Sequence, residues 1–362
     1  MATSTRAVLV EDSEVDRAFA DRLTRLGLPC EHIAPPAARG ELIARIEKGK
    51  YGLVILDYRL DDRGPGTYRG GTVAADLKER CPGLPIVLFT TAEKRKGFVE
   101  NNPALRELFD FVVMKESIAE KKARALIVEQ LIDLAKGFKR INRTLARTAK
   151  AGGFERVAKL MESERDELEG VRGEIQPDNP NPAEVCRLIL KELIAYPGPL
   201  VDDSEARALL GVDLTSFRKS KLQEILEDSR YKGVFSKIAQ RWWKVRLQSV
   251  LSSRPVDKDV VDWRPRALAK LCGSRIRSGG CVWCGEPEII HGCDICGESV
   301  DGRHSLTAND ASRPRWADPK LVCYRCVQTG RADPNNFSGA SAGIAQRLAS
   351  GAIRPPEARR DG

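Results

Sequence analysis

The 362-residue chain has no apolar N-terminal segment that would serve as a secretory leader, and no hydrophobic run approaches a membrane span. These absences exclude a transporter and set the expectation of a cytoplasmic protein with no membrane partner. In that reducing compartment ten cysteines point to bound metal rather than to disulfides. Aliphatic residues are scarce between Cys272 and Cys326, so metal must stand in for an apolar core there. No histidine follows Cys326, which counts against one class of metal-dependent enzyme discussed below. Charge is plentiful: 60 Lys and Arg against 51 Asp and Glu leave a net +9, compatible with an acidic partner without specifying one. Hydrophobic content of 42% suits ordinary soluble cores, and the length suits about two to four domains.

The stretch Tyr51-Gly52-Leu53-Val54-Ile55-Leu56-Asp57-Tyr58-Arg59-Leu60 is an apolar run that ends on a carboxylate. A run this short and this rich in Val, Ile and Leu reads as a strand buried on both faces, hence a parallel sheet flanked by helices. Ligands of such sheets sit beyond the carboxyl ends of the strands, which is where Asp57 falls. Arg6-Ala7-Val8-Leu9-Val10 ends on Glu11-Asp12, Pro85-Ile86-Val87-Leu88-Phe89 on Thr90-Thr91, and Phe111-Val112-Val113-Met114 on Lys115. Glu11, Asp12 and Asp57 brought to one edge would repel, and a hard divalent cation such as Mg2+ is the usual remedy. Ser13 with Asp16 fits a capping box ahead of the Phe19, Leu23, Leu26 face. Cys30, His32 and Cys81 have no partners nearby in sequence and read as packing residues.

An acid pair, a single Asp, a hydroxyl and a Lys at successive strand ends resemble the CheY-like receiver domain of bacterial response regulators, over residues 1–120. The resemblance implies an α/β flavodoxin-like fold with a five-stranded parallel sheet. It implies phosphorylation of Asp57 by a partner histidine kinase, in a two-component phosphorelay. Mg2+ would be held by Glu11, Asp12, Asp57 and the backbone carbonyl of Arg59, and the phosphoryl oxygens by Thr90 and Lys115. This chain departs from the family in three places. The loop Asp61 to Gly71 is long and charged, Val112 occupies the place of the family's aromatic switch, and Glu116 replaces the Pro after the Lys.

Beyond Lys115 the period changes. Ile127, Leu131, Leu134, Phe138, Ile141 and Leu145 alternate at spacings of four and three, a heptad seam on one long helix. A second seam, Val157, Met161, Leu168 and Val171, follows Ala151-Gly152-Gly153. Residues 121–175 therefore read as an antiparallel helical hairpin, with a homodimer built on the first helix as the alternative. Lys136, Lys139, Arg140, Arg143, Arg147 and Lys150 give that helix a basic end, which a solvated face explains as well as a nucleic-acid contact does. Gln176 to Pro182 is a linker by composition.

Residues 183–262 read as a helical domain. Within it, Ala206 to Val212 followed by a polar helix carrying Arg218 and Lys219 is similar to a helix-turn-helix. Arg241, Trp242, Trp243 and Lys244 form a cationic and aromatic cluster. Arg218, Lys219, Arg241, Trp242 and Trp243 are the candidate contacts to nucleic acid or a protein partner, set against the plainer reading that both indoles close a small core.

Residues 263–337 read as a small zinc-stabilised module. Cys281-x-x-Cys284-Gly, Cys293-x-x-Cys296-Gly and Cys323-x-x-Cys326 have the spacing that lets two thiolates of a tight turn reach one tetrahedral ion. The last two pairs resemble a treble-clef finger, which leaves Cys272, Cys281, Cys284 and His291 for a second Zn2+. One ion with spare thiols is the other partition. Full thiolate coordination leaves no open position, so the metal is expected to be structural. Treble clefs also carry HNH nucleases, and His304 with Asn309 and Asp310 would be such a centre, but Asn309 lies far from Cys323. Residues 338–362 read as a disordered tail. The expected whole is a multidomain, non-enzymatic signalling protein whose zinc-containing output binds nucleic acid or, alternatively, acts as a protein adapter.

Overall fold

The computed structural model describes residues 5–12, 14–61, 65–91, 103–147, 152–174, 181–253, 263–286, 291–310 and 313–355. Ser13, part of the long loop after Asp57, Lys150 and most of the 176–182 linker lie outside the described residues. The chain divides into two units that interleave in sequence. The first comprises residues 1–162, 174–191 and 233–239; the second comprises 163–173, 192–232 and 240–362. The segments expected from the sequence are corrected accordingly, because 183–262 contributes to both units.

The first unit opens with β1 (Ala7–Val10), α1 (Glu14–Arg25), β2 (Cys30–Ile33), α2 (Arg39–Gly49), β3 (Leu53–Asp57), α3 (Gly70–Arg80), β4 (Ile86–Thr90), α4 (Pro103–Leu108) and β5 (Phe111–Met114). All five strands are parallel, in the order β2-β1-β3-β4-β5, the doubly wound arrangement whose order reverses beside β1 and β3. Every residue of β1, β3 and β4 is buried, as unalternating apolar strands with covered faces should be. Each buried Leu, Ile or Val contributes about 1.5–3 kcal/mol as an upper estimate. The register aligns Val10 with Leu56, Asp57 with Phe89 and Thr90 with Met114. The four strand ends that carry chemistry are thereby level.

The next helix, α5 (Lys121–Arg147), buries Ile127, Leu131, Leu134, Phe138, Ile141 and Leu145. Gly137 on α5 makes room for Phe235, whose ring would lie 2.2 Å from a Cβ there. Phe235 itself adopts φ 66°, a conformation a bulky residue holds only when its surroundings demand it. The following α6 (Gly153–Met161) packs on α5, and Arg140 pairs with Glu162 at 3.0 Å, as an antiparallel hairpin requires. The seam residues are thus covered within the chain. The first unit continues into α7 (Pro182–Arg187), started by an Asn181–Glu184 capping box.

In the second unit β6 (Leu200–Val201) pairs with β7 (Trp242–Trp243), and α8 (Asp203–Leu210), α9 (Leu214–Phe217), α10 (Ser220–Ile225), α11 (Lys244–Ser252) and α12 (Trp263–Cys272) close a core around Leu210, Phe217, Leu222, Leu247 and Leu268. The cysteine-rich part has two short ribbons, β8 (His291–Gly292) with β9 (Ser299–Val300) and β10 (Ser305–Thr307) with β11 (Leu321–Cys323), then α13 (Tyr324–Gln328). The expected disordered tail is corrected: residues 340–349 form α14 (Ala340–Ala349), which buries Ala345 and Leu348 in the cluster that contains the cysteines. Its small apolar residues recur at helical spacing, a pattern that overall composition conceals. Among the described residues no helix is long and apolar enough to cross a membrane.

Candidate functional site: an acidic cradle at the strand ends and two cysteine clusters

Glu11, Asp12 and Asp57 converge at the carboxyl edge of the sheet, with one oxygen of each within 4.8 Å of the others. Glu11 is 1% exposed and Asp57 2%. Lys115 reaches both from the end of β5, with Nζ 2.7 Å from Glu11 Oε2 and 3.1 Å from Asp57 Oδ1. Its Nζ also lies 4.8 Å from the centre of the Phe89 ring. Three carboxylates meeting at one edge offer the oxygen ligands that suit a divalent cation. The Thr90 hydroxyl is fully buried at the next strand end and has no hydrogen-bond partner among the described residues. Such a group is costly to leave unsatisfied. The Arg59 N–H donates to Asp57 Oδ2 at 3.1 Å, while its guanidinium pairs with Asp61 at 3.0 Å.

Two features escaped the sequence reading. Gly70 starts α3 directly against β3, where a Cβ would lie 2.1 Å from the Asp57 carbonyl oxygen. Its N–H donates to Tyr58 O at 2.9 Å, so the long loop returns to the strand end it left. Tyr68 anchors that loop by donating to Pro36 O at 2.7 Å. The Gly70-Gly71 pair closing a charged loop was the available signal. His32, expected to be a packing residue, places Nε2 3.0 Å from the backbone oxygen of Glu11.

No family model and no curated protein matches the chain. Its similar solved structures are receiver domains over roughly the N-terminal third. One is the receiver domain of the TMAO respiratory system response regulator TorR, 24% identical, covering 34% of this chain and 92% of that one, TM-score 0.27. Another is the response regulator TrrA from Thermotoga maritima in complex with Mg2+ and BeF, 20% identical, covering 33% and 98%, TM-score 0.25. The chain spans about half, 51%, of a streptococcal redox sensor described as evolved from two-component response regulators, at 12% identity and TM-score 0.29. The strand order, the level strand ends and the side chains above carry the reading of this site by themselves.

In the second unit Cys293, Cys296, Cys323 and Cys326 form one group. Cys293 and Cys326 sulfurs are 3.9 Å apart and Cys296 and Cys323 sulfurs 3.7 Å. A tetrahedral Zn2+ with bonds of about 2.3 Å needs sulfurs roughly 3.8 Å apart, so the group fits the ion. Hydrogen bonds from the Cys323 side chain and from backbone N–H groups, outweighing burial, hold the Cys293 thiol down to about 4. The Cys323 thiol, which gives that hydrogen bond, is pushed up.

The second expected ligand set is corrected. Cys281 and Cys284 meet His304, with Cys281 Sγ 3.7 Å from His304 Nδ1. Cys272 instead lies at the end of α12 in the apolar core, where burial raises its thiol. His291 sits in β8, outside both groups, with its pKa lowered by burial. Proximity in sequence misled, because the chain turns back through β9 before a histidine reaches the first pair. The same geometry sets the His304 ring beside the Cys281 and Cys284 thiols, a group that could hold a metal ion.

The candidate contact residues do not form one surface. Trp242 and Trp243 are 0% and 1% exposed. Consecutive strand residues face opposite ways, and each ring is covered: Trp242 by Phe217 and Arg230, Trp243 by Tyr231 and Arg246. Arg241 Nε donates to Ile194 O at 2.6 Å. Lys219 Nζ donates to Arg275 O, and Arg218 is exposed. The helix-turn-helix is corrected too. Gly211 ends α8 in the left-handed region as expected, but α9 is a single turn, too short to lie along a groove. Ser204 and Arg207 of α8 instead hold the Gly297 carbonyl beside Cys296.

Proposed function

We propose that the chain is a response-regulator-like signalling protein that is phosphorylated on Asp57 and whose zinc-containing second unit is the output. The observation that carries this reading is the set of groups around Asp57: a buried nucleophilic carboxylate, a buried hydroxyl without a partner, and an ammonium within reach of both acids. In the proposed step an Asp57 oxygen attacks the phosphorus of a phosphohistidine on a histidine kinase. The P–N bond breaks, its electron pair leaves with the imidazole, and an acyl phosphate remains on Asp57. Thr90 donates to one phosphoryl oxygen and Lys115 neutralises another. Glu11, Asp12, Asp57 and the Arg59 carbonyl would hold Mg2+, which would supply the remaining charge neutralisation. Phosphorylation then biases the first unit between two packings.

We propose a protein-docking adapter as the output, with a structural rather than catalytic zinc module. The burial of Trp242 and Trp243, the internal bond of Arg241 and the brevity of α9 favour it, because the elements expected to read nucleic acid are engaged inside the fold. The second reading, nucleic-acid binding, rests on the net +9 and the exposed Arg218.

The test is exposure of the full chain to acetyl phosphate with Mg2+, read by intact mass, with Asp57→Asn as control. A phosphate-sized mass gain lost in the variant is expected. An unmodified wild type that also fails to bind beryllofluoride overturns the proposal. Anisotropy titration with duplex and single-stranded oligonucleotides at low and physiological salt separates the two outputs: micromolar binding that weakens steeply with salt selects the nucleic-acid reading.

A further inference from the structure

The two knuckles are built alike. In the first, the Cys281 N–H donates to Glu286 O and the Gly285 N–H to Cys281 O, both at 2.8 Å. In the second, the Cys293 N–H donates to Glu298 O and the Gly297 N–H to Cys293 O, again at 2.8 Å. Gly285 and Gly297 have φ of 78° and 68°. The sequences Cys-Val-Trp-Cys-Gly-Glu and Cys-Asp-Ile-Cys-Gly-Glu carry the same correspondence.

The likeness extends to the strand that each knuckle meets. Val282 N–H donates to Ser299 O at 2.9 Å, and Asp294 N–H donates to Leu321 O at 2.8 Å. Two residues beyond Leu321 comes Cys323, and two residues beyond Ser299 comes Asp301. Cys323 has φ −70° and ψ 151° and precedes the helical turn of α13; Asp301 has φ −71° and ψ 138° and precedes the helical turn Gly302–His304. Three residues further on stand Cys326 and His304. Cys323 and Cys326 complete the second site, so the positions that complete the first are 301 and 304.

We infer that Asp301 is the fourth ligand of a second zinc site formed with Cys281, Cys284 and His304. The Asp301 carboxylate is buried, unusual for an acid in a short loop. No Asp301 oxygen lies within 4.8 Å of all three ligand atoms of Cys281, Cys284 and His304, so it is the backbone correspondence with Cys323 that assigns it. The Arg303 N–H and guanidinium bind its two oxygens. A carboxylate has about four acceptor positions, so these contacts orient it while leaving others for a metal. Sulfur, nitrogen and carboxylate oxygen are all ordinary Zn2+ ligands. The ligand pairs interleave along the chain, first with third and second with fourth. The first site has two thiolates where the second has four, and it is the one that releases zinc more readily.

Native mass spectrometry of the full chain should find two zinc ions, and Cys281→Ser should leave one. Chelator challenge of the wild type should release zinc in two phases. Asp301→Ala should lose the fast-phase ion or release it at least about tenfold faster. Asp301→Asn, which still accepts from the Arg303 N–H and preserves the turn, should also speed that phase, and Asp301→Cys should slow it. In the cobalt-substituted protein Asp301→Cys should strengthen the thiolate charge-transfer band. The slow phase should be unchanged throughout, which distinguishes loss of a ligand from loss of the fold. If Asp301→Ala and Asp301→Asn keep both ions with wild-type kinetics, Asp301 is only a helix cap paired with Arg303 and the inference fails. It fails equally if the wild type holds one ion that survives Cys281→Ser.

Discussion

Lys115→Met separates the two roles of the acidic edge. In the wild type its ammonium lies 2.7 Å from Glu11 and 3.1 Å from Asp57. Methionine keeps most of the side chain's bulk and removes the charge. Taking one partner from a fully buried ion pair costs about 3–5 kcal/mol. The Lys115 side chain is 21% exposed, so a loss below that range, about 2–3 kcal/mol, is expected once screening is allowed for. Tryptophan fluorescence is blind to it, because all five tryptophans belong to the second unit. Hydrogen exchange of the β1, β3 and β4 amides reads the first unit directly. In EDTA those amides should exchange roughly 30- to 150-fold faster in the variant, the equivalent of 2–3 kcal/mol if they open with the whole unit. Mg2+ should then protect the variant more than the wild type, since the Lys115 ammonium no longer competes for the acids. At a hundred times its Kd the recovery is about 2.7 kcal/mol. A loss below about 1 kcal/mol in EDTA, or protection by Mg2+ no stronger at these strands than elsewhere, would refute the view of the edge as a charge-starved cation cradle.

Thr90→Val removes a buried hydroxyl without a partner, so the unliganded fold should be unchanged or more stable by up to about 1 kcal/mol, while beryllofluoride affinity falls about tenfold or more; denaturation and titration read the two effects. Gly70→Ala drives a methyl against the Asp57 carbonyl and should cost about 1–3 kcal/mol in first-unit hydrogen exchange. Cys323→Ser should release the zinc of the four-cysteine group and expose the α14 amides, with first-unit exchange unaltered. Glu205, held by burial at about 7 against an ordinary 4.5, gives a pH test. Its folded-state pKa is raised, so the stability linked to its proton is complete below pH 4.5 and is lost as pH rises towards 7. Glu205→Gln should abolish that slope and stabilise the second unit by about 2–3 kcal/mol at pH 8, read by tryptophan-monitored urea unfolding.

The strand ends were legible because a buried parallel strand leaves a strong local record. Val-Ile-Leu runs of four or five residues cannot belong to a half-exposed sheet, and the residue that breaks each run must lie at its end. Asp57, Thr90 and Lys115 were therefore placed without knowing the helices between them. Gly70 was not, because its necessity arises from backbone returning across a long loop, and a long loop's course is not written in its own residues. The middle of the chain misled for a related reason. The seam on α5 identified a helix that buries one face but not what covers it, and Phe235, nearly a hundred residues on, is part of the cover. The tryptophan pair could have been exposed or buried by pattern alone; in the fold, opposed strand faces bury both.

The metal clusters show a different limit. Three Cys-x-x-Cys pairs announced zinc, yet their partners were sought by residue type, among cysteines and histidines close in sequence. Residue type and proximity point to Cys272 and His291, and away from Asp301 and His304. A search by position would have started from Cys-x-x-Cys-Gly-Glu occurring twice, twelve residues apart. Ser-Val-Asp-Gly-Arg-His and Leu-Val-Cys-Tyr-Arg-Cys match in the same way, with an aliphatic Val before each ligand position and an Arg between the two. Val300 and Val322 are both buried, so the shared Val has a packing reason and fixes which way the next residue faces. What repeats is the backbone path that delivers two side chains to an ion; which side chains they are decides how tightly the ion is held.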